Sequence, residues 1–204
     1  GSTLSLAYSQ THPSVCKALV LRGIFLLRKK EIHWFYQEGA SKIFPDAWEK
    51  FLEPISKDKQ NNLLEAYYEL LTHEDSSKRI EAAKAWSIWE GSTVKLIQNK
   101  ALIEHSSDSR FAEAFSRIEC HYFTNNGWFD TDNYLIENVD KIRHIPAVIV
   151  HGRYDVVCPA ENAWELHKAW PESDLHIIPD SGHAMSEEGI KDKLIEYTDK
   201  FLKL

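Results

Sequence analysis

Two side chains in the last third of the chain have the types and the order needed for acyl-transfer chemistry. Asp155 lies in the turn after a short apolar run at 145–150, and His183 lies in the loop after a second run at 175–178. A carboxylate placed there can accept the Nδ1 proton of a histidine, fix its tautomer and stabilise the imidazolium. The order Asp then His matches the end of a Ser, Asp and His series. Each could also be an ordinary loop residue, since Asp is common in turns.

The elements around these two residues are typical of a parallel sheet. The run at 145–150 is apolar and rich in β-branched residues, as in a buried parallel strand. A helical pattern at 161–170 separates it from the second run, and an amphipathic helix is predicted over 187–204. The chain opens with a predicted helix at 1–10 and a short strand at 17–21. This alternation predicts an α/β fold with a parallel sheet.

The middle of the chain has a different, helical character. From 24 to 141 no run resembles a strand, and helical patterns succeed one another at 30–39, 45–53, 57–71, 76–90 and 109–122. An insertion of this size between two parallel strands is typical of a cap over the carboxyl edge of the sheet, where such sheets bind ligands. We therefore predict three segments: part of a sheet domain (1–23), a helical cap (24–141) and the C-terminal part of the sheet domain (142–204).

Composition excludes several classes of function. A chain of 204 residues that is 43% hydrophobic can bury a sizeable core. The net charge of −7 argues against a nucleic-acid partner, and no apolar run approaches the roughly 20 residues of a membrane span. Three cysteines without paired spacing favour a reducing compartment, so we expect a cytoplasmic location. Cys120, His121 and Cys158 lack a metal-ligand spacing, and we expect no metal or organic cofactor.

Five stretches spread along the chain form a specific set: GSTL at 1–4, LRGIF at 21–25, WFYQEGA at 34–40, AWSIWEG at 85–91 and VHGRYD at 150–155. Together they resemble the proline iminopeptidase family of α/β-hydrolases, serine peptidases that remove an N-terminal proline. The resemblance covers essentially the whole chain. It implies an α/β-hydrolase fold, a peptide substrate with an N-terminal proline, and a catalytic triad in which Asp155 orients His183 as the general base.

The resemblance also implies that the nucleophile lies outside the sequence. The family's nucleophile elbow reads Gly-Gly-Ser-Trp-Gly-Ser-Thr-Leu, and residues 1–4 match only its last four positions. The serine would precede Gly1 by two positions, and the family's His-Gly-Gly-Pro-Gly loop, which helps to form the oxyanion hole, would lie further upstream. Ser2 would face away inside a helix, so we do not expect it to act as the nucleophile. We expect a C-terminal portion that is inactive alone and needs the missing N-terminal part as its partner.

The resemblance assigns substrate binding to two glutamates of the helical segment. Glu90 is predicted to end a helix just before Gly91, where the helix dipole disfavours an anion unless a cation is supplied. Glu119 lies beside an apolar stripe, an unusual place for a surface charge; the stripe consists of Phe111, Phe115, Ile118 and Tyr122. In similar enzymes the matching glutamates bind the protonated amine of the N-terminal proline. Without the resemblance, each would be an ordinary solvated glutamate.

Three further residues complete the site that the resemblance implies. Phe25 and Tyr36 match residues that line the pocket for the flat pyrrolidine ring, and Arg22 lies beside them in sequence. Without the resemblance these would be core residues of the cap. Two alternatives remain open at this point: another α/β-hydrolase that cleaves esters or amides, and a non-catalytic fragment or interaction module.

Overall fold

The computed structural model describes all residues from 1 to 204 and divides the chain into two compact units. The first, here called the sheet unit, contains Gly1–Arg28 and Asp130–Leu204. The second, the helical unit, contains Lys29–Phe129. These bounds differ from those of the three predicted segments, and the role of the middle segment as a cap stays a prediction.

The sheet unit is built on three parallel strands in the order β1-β2-β3: β1 Leu19–Arg22, β2 Ala147–Gly152 and β3 Asp174–Ile178. Its helices are α1 Ser2–Thr11, α8 Tyr134–Glu137, α9 Ala160–Ala169 and α10 Glu188–Phe201. The central strand β2 is buried along its whole length. The α/β class predicted from the sequence is therefore confirmed.

Side chains of β2 alternate between the two faces of the sheet. Val148 and Val150 pack against Ile190 and Tyr197 of α10. His151 points to the opposite face, and α9 covers that face. Both faces of β2 are thus covered, which explains the nearly continuous apolar run in its sequence.

The helical unit contains six α-helices: α2 Lys29–Tyr36, α3 Pro45–Leu52, α4 Leu63–Leu71, α5 Ser76–Thr93, α6 Lys100–Ser106 and α7 Ser109–Thr124. Helix α5 packs against α3, α4, α6 and α7. Trp86 and Trp89 of α5 are buried together with Phe51 and Tyr67. Aromatic side chains therefore form the centre of this unit, and they include two of the seven tryptophans in the sequence.

Two helix predictions need correction, and one helix has no counterpart among the predictions. The predicted helix 57–71 is broken, because Asn62 caps a new helix by accepting from the backbone N–H of Glu65. Helix α6 was not predicted. Helix α5 does not end at Glu90 but continues to Thr93, and the small Gly91 lets α6 approach closely at Ser106. Glycine here serves the packing of two helices rather than a helix end.

Two properties of the whole chain bear on the other expectations. No helix combines the length and the apolar character that a membrane crossing requires. All three cysteines carry free thiols, and Cys120 and Cys158 are buried. The cytoplasmic location stays a prediction.

Candidate active site

The structure brings Asp155 and His183 together at the carboxyl edge of the sheet. The Nδ1 atom of His183 lies 2.8 Å from Oδ2 of Asp155. Asp155 follows β2 and is buried, whereas the His183 side chain keeps 18% of its surface exposed. With Nδ1–H donating to the carboxylate, Nε2 is left free to take a proton. The arrangement can therefore orient a general base.

The carboxylate of Asp155 is held in its charged form. Burial by itself would raise its pKa, but the interactions with His183 and His151 and the bond from Cys158 outweigh this and lower the pKa. The Cys158 N–H donates to Oδ1 at 2.8 Å. An ionised carboxylate is what an imidazolium needs beside it during proton transfer.

The loop that carries His183 is fixed by four contacts. Arg153 N–H donates to the Ile178 carbonyl at 2.8 Å, and Tyr154 N–H donates to the Ser181 carbonyl at 3.0 Å. The Glu187 carboxylate accepts from the Gly182 N–H at 2.6 Å, and the Arg22 guanidinium donates to the carbonyl of His183. Arg22, predicted as a substrate-binding residue, thus has a clear structural contact, and a role toward substrate stays a prediction.

The loop after β1 is the second wall beside His183. Gly23 has φ +55°, and a Cβ atom there would lie 2.8 Å from Cε1 of His183. Phe25, the predicted pocket residue, lies in this loop and is partly buried. Buried Ser2 uses its hydroxyl inside the fold, because it donates to the Gly23 carbonyl and accepts from the Phe25 N–H. The Ser2 hydroxyl is therefore part of the loop's support.

The helical unit brings the other predicted residues together. Tyr36 is buried and donates its hydroxyl to Oε1 of Glu90. Its ring stacks on Trp86 with a centroid distance of 4.2 Å. The Trp86 indole Nε1–H donates to Oε2 of Glu119 at 3.0 Å. Two carboxylates thus share one aromatic wall, and a phenol and an indole supply one hydrogen bond to each.

The electrostatics of this cluster favour a cation. Burial, followed by the charge of Glu90, raises the pKa of the Glu119 carboxyl well above its usual range. The pKa of the Tyr36 hydroxyl is also raised well above normal, by burial and by both carboxylates. An ammonium group between the two carboxylates would relieve this repulsion. The cluster therefore has the chemistry of an amine-binding site.

The reason why Glu119 is buried differs from the prediction. Its apolar stripe is not part of the core, since Phe111, Ile118 and Tyr122 are exposed on the surface of α7. The buried side of α7 consists of small residues, Ala112, Ser116 and Cys120. Glu119 is partly buried next to this side, where Trp86 can reach it.

Sequence reasoning missed two residues of these sites. Trp86 was recognised only as part of a matching stretch, although it joins Tyr36 to Glu119. His151 lies in the matching stretch at 150–155 but has no predicted role, and its Nε2 atom lies 3.3 Å from Oδ2 of Asp155. The available signal for His151 was a single ionisable residue inside an otherwise apolar strand.

Comparison with known proteins agrees with this architecture. A family model described as alpha/beta hydrolase fold matches residues 1–190. A probable proline iminopeptidase of Leptolyngbya boryana is 60% identical over 202 residues. Proline iminopeptidases of Arabidopsis thaliana and Neisseria gonorrhoeae are 51% and 44% identical. The matches cover 99%, 100% and 99% of this chain, which spans 63%, 54% and 64% of those relatives' lengths.

Two solved structures share the fold. An esterase from Exiguobacterium antarcticum matches 98% of this chain, and the match covers 63% of the esterase with a TM-score of 0.53 and 17% identity. A putative lipase from Acinetobacter baumannii matches 100% of this chain, and the match covers 58% of the lipase with a TM-score of 0.54 and 15% identity. The similarity in sequence to the proline iminopeptidases is much higher. The family model, the parallel sheet and the Asp155–His183 pair lead to one conclusion: this chain belongs to the α/β-hydrolase fold family.

Proposed function

We propose that these residues form part of a serine aminopeptidase that releases N-terminal proline from peptides. The observation that carries this proposal is the cluster in the helical unit, where Glu90 and Glu119 share the aromatic wall of Tyr36 and Trp86. Relatives named as proline iminopeptidases support it, as does the pairing of His183 with Asp155.

The sheet unit supplies the proton transfers in this proposal. His183 Nε2 removes the proton of the attacking serine, and Asp155 stabilises the imidazolium that results. The serine oxygen forms a bond to the proline carbonyl carbon, and the imidazolium then gives its proton to the departing amine. Water, activated by the same histidine, hydrolyses the prolyl ester and restores the serine.

The helical unit supplies the selection for an N-terminal proline. A free secondary ammonium fits two carboxylates, and the aromatic side chains beside them offer an apolar surface to the pyrrolidine ring. A peptide with a blocked N-terminus would leave the carboxylates without their cation, and this loss accounts for the preference for a free amine. Phe25 and Arg22 of the sheet unit keep the substrate-binding roles that the family resemblance implies, as part of this proposal.

The nucleophilic serine is proposed to lie in a segment before Gly1, at the position that the family's elbow motif gives it. Residues 1–204 alone are then expected to be inactive, and no metal or organic cofactor takes part. Turnover of a prolyl arylamide by the purified 204-residue chain would contradict this placement. We further propose a cytoplasmic location, supported by the three free thiols.

The test compares substrates and one matched pair of variants. The intact protein, meaning residues 1–204 with any segment that precedes them, is assayed with prolyl, alanyl and N-acetylprolyl arylamides and with a simple acyl ester. Glu90→Gln keeps the shape of the side chain and removes its charge. We expect it to lower kcat/KM for the prolyl arylamide by about 100-fold, since a charge-assisted contact is worth roughly 1.5–3 kcal/mol.

The control for this experiment is Glu113→Gln, on the same unit. Oε1 of Glu113 lies 2.5 Å from Nε of Arg79, and Glu113 is not part of the aromatic cluster. We expect the control to keep kcat/KM within about threefold. Equal activity of wild type and Glu90→Gln on prolyl substrates, together with strong ester hydrolysis, would reject the aminopeptidase in favour of an esterase.

A further inference from the structure

His151 makes three contacts that join two parts of the sheet unit. It lies on β2 and is fully buried. Its Nε2 atom lies 2.7 Å from the carbonyl oxygen of Cys158 and 3.3 Å from Oδ2 of Asp155. Its Nδ1 atom lies 3.1 Å from the backbone nitrogen of Ile24, in the loop after β1. One ring therefore bridges the turn that carries Asp155 and the loop that carries Phe25.

The partners determine the protonation state of this ring. The Ile24 N–H can only donate, so Nδ1 must accept and carries no proton. The single proton of the neutral ring is then on Nε2, where it donates to Cys158 O and faces Asp155 as a second, longer acceptor. Burial lowers the pKa of His151, although Asp155 favours the charged form. The ring is neutral, with both nitrogens used.

The loop after β1 depends on contacts of this kind. Between the Gly23 and Phe25 carbonyls, each backbone polar group bonds a side chain from outside the loop: Gly23 O with Ser2, Ile24 N with His151, Ile24 O with Asn162, Phe25 N with Ser2 and Phe25 O with Thr3. Strand pairing contributes nothing here. His151 is the one member of this set that also reaches the catalytic carboxylate.

We propose that His151 is a positioning residue, which sets the orientation of Asp155 through Nε2 and the place of the Phe25 loop through Nδ1. This rests on the proposed function in so far as Asp155 and His183 act in catalysis. The contacts of Nε2 are expected to affect kcat, and the contact of Nδ1 is expected to affect KM. Orientation of Asp155 governs the chemical step, and the Phe25 loop governs substrate binding.

Two amide variants separate the two roles. In His151→Asn the side-chain oxygen can replace Nδ1 as acceptor for Ile24, while the donor toward Cys158 and Asp155 is lost. In His151→Gln the longer amide can replace Nε2 as donor, while the acceptor for Ile24 is lost. With prolyl arylamide and the intact protein, we expect Asn to lower kcat at least about tenfold with KM within twofold, and Gln to raise KM about tenfold with kcat within threefold.

The matched control is His176→Gln on the neighbouring strand. His176 is the register partner of Val150, and its Nε2 bonds to Tyr197 at 2.8 Å. Both kinetic constants should stay within about twofold there. The same changes of kcat and of KM in both His151 variants, or no change in either variant, would overturn the inference. If His151→Asn does not fold, His151→Gln decides alone: a raised KM with kcat within threefold supports the inference, and any other result overturns it.

A spectroscopic readout keeps the inference separate from the proposed function. The His183 Nδ1 proton, bonded to Asp155, gives a low-field NMR signal that can be assigned in histidine-labelled protein. We expect this signal to move or broaden in His151→Asn and to stay in place in His151→Gln and His176→Gln. If the intact protein showed these signal changes without cleaving prolyl substrates, that result would reject the proposed aminopeptidase activity and leave the positioning role of His151 intact. An unchanged signal in a folded His151→Asn variant would refute that role.

Discussion

At the residue scale, the Glu119 carboxyl lowers the stability of the folded helical unit, as groups in ligand-binding sites often do. The Glu119 carboxyl is held near Glu90, and burial and that charge raise its pKa. A folded state that binds this proton more tightly than the unfolded chain loses stability as pH rises from about 4.3 toward the folded pKa. Sites that must bind a ligand often carry such a cost.

We therefore predict that Glu119→Gln stabilises the ligand-free protein at pH 8, by on the order of 1 kcal/mol, and has little effect near pH 4. The amide oxygen can still accept from Trp86, so packing is kept. Thermal unfolding at both pH values measures the effect. The same variant should raise KM for prolyl arylamide. A loss of stability at pH 8 would show that the carboxylate of Glu119 is already well compensated in the fold.

A second residue-scale prediction concerns the carboxylate of Asp155, for which a catalytic role is proposed. Asp155→Asn keeps the size of the side chain. With its oxygen accepting from the Cys158 N–H, it places an NH₂ donor where Oδ2 now accepts from His183, and the tautomer of His183 is no longer fixed. In serine hydrolases with this arrangement the loss is about 10⁴-fold in kcat, and we expect a similar value. Asp174→Asn, which alters a carboxylate bonded to Tyr197 at the surface, serves as the control. Comparable losses in both variants would argue against a special role for Asp155.

At the element scale, the loop after β1 packs so closely against the loop carrying His183 that no side chain fits between Gly23 and the His183 ring. Gly23 adopts a left-handed conformation beside the His183 ring. Gly23→Ala adds backbone strain of about 1 kcal/mol and pushes a methyl group against that ring. We expect kcat to fall about 100-fold, since a displacement of the base by 1 Å is enough for this.

Gly127→Ala provides the control for this strain. Gly127 has φ +58°, close to that of Gly23, and lies in the helical unit. It should show a similar loss of stability with kcat unchanged. If the two variants lost activity to the same extent, strain alone would explain the result for Gly23, and the contact with His183 would be irrelevant.

An element could be predicted from the sequence when the interactions that form it join residues close together in the chain. The strands and most helices depend on local periodicity, and the Asp155–His183 pair was found because both residues follow strands of one parallel sheet. The proposed role of His151 depends on its contact with Ile24, 127 positions away, and no local sequence pattern predicts such a contact. The extension of α5 past Glu90 depends on packing at Ser106, whereas Gly91 in the sequence predicts the end of a helix.

At the scale of the whole molecule, both outer strands of the sheet, β1 and β3, have an open edge. Strand β1 pairs only with β2, so its other edge has no neighbouring strand. Leu4, Tyr8 and Val15, from α1 and the turn that leads to β1, are 61%, 56% and 65% exposed. An open edge beside apolar surface is a ready template for association. We propose that the family's N-terminal part covers it.

The last prediction follows from this edge. Residues 1–204 expressed alone should associate into multimers and bind a hydrophobic dye, because the apolar surface and the unpaired backbone groups of β1 are accessible. Adding the N-terminal segment of a relative, separately or by fusion, should reduce dye binding and give a defined species in size-exclusion chromatography. A soluble monomer of residues 1–204 that unfolds cooperatively would show that the sheet unit needs no further strand.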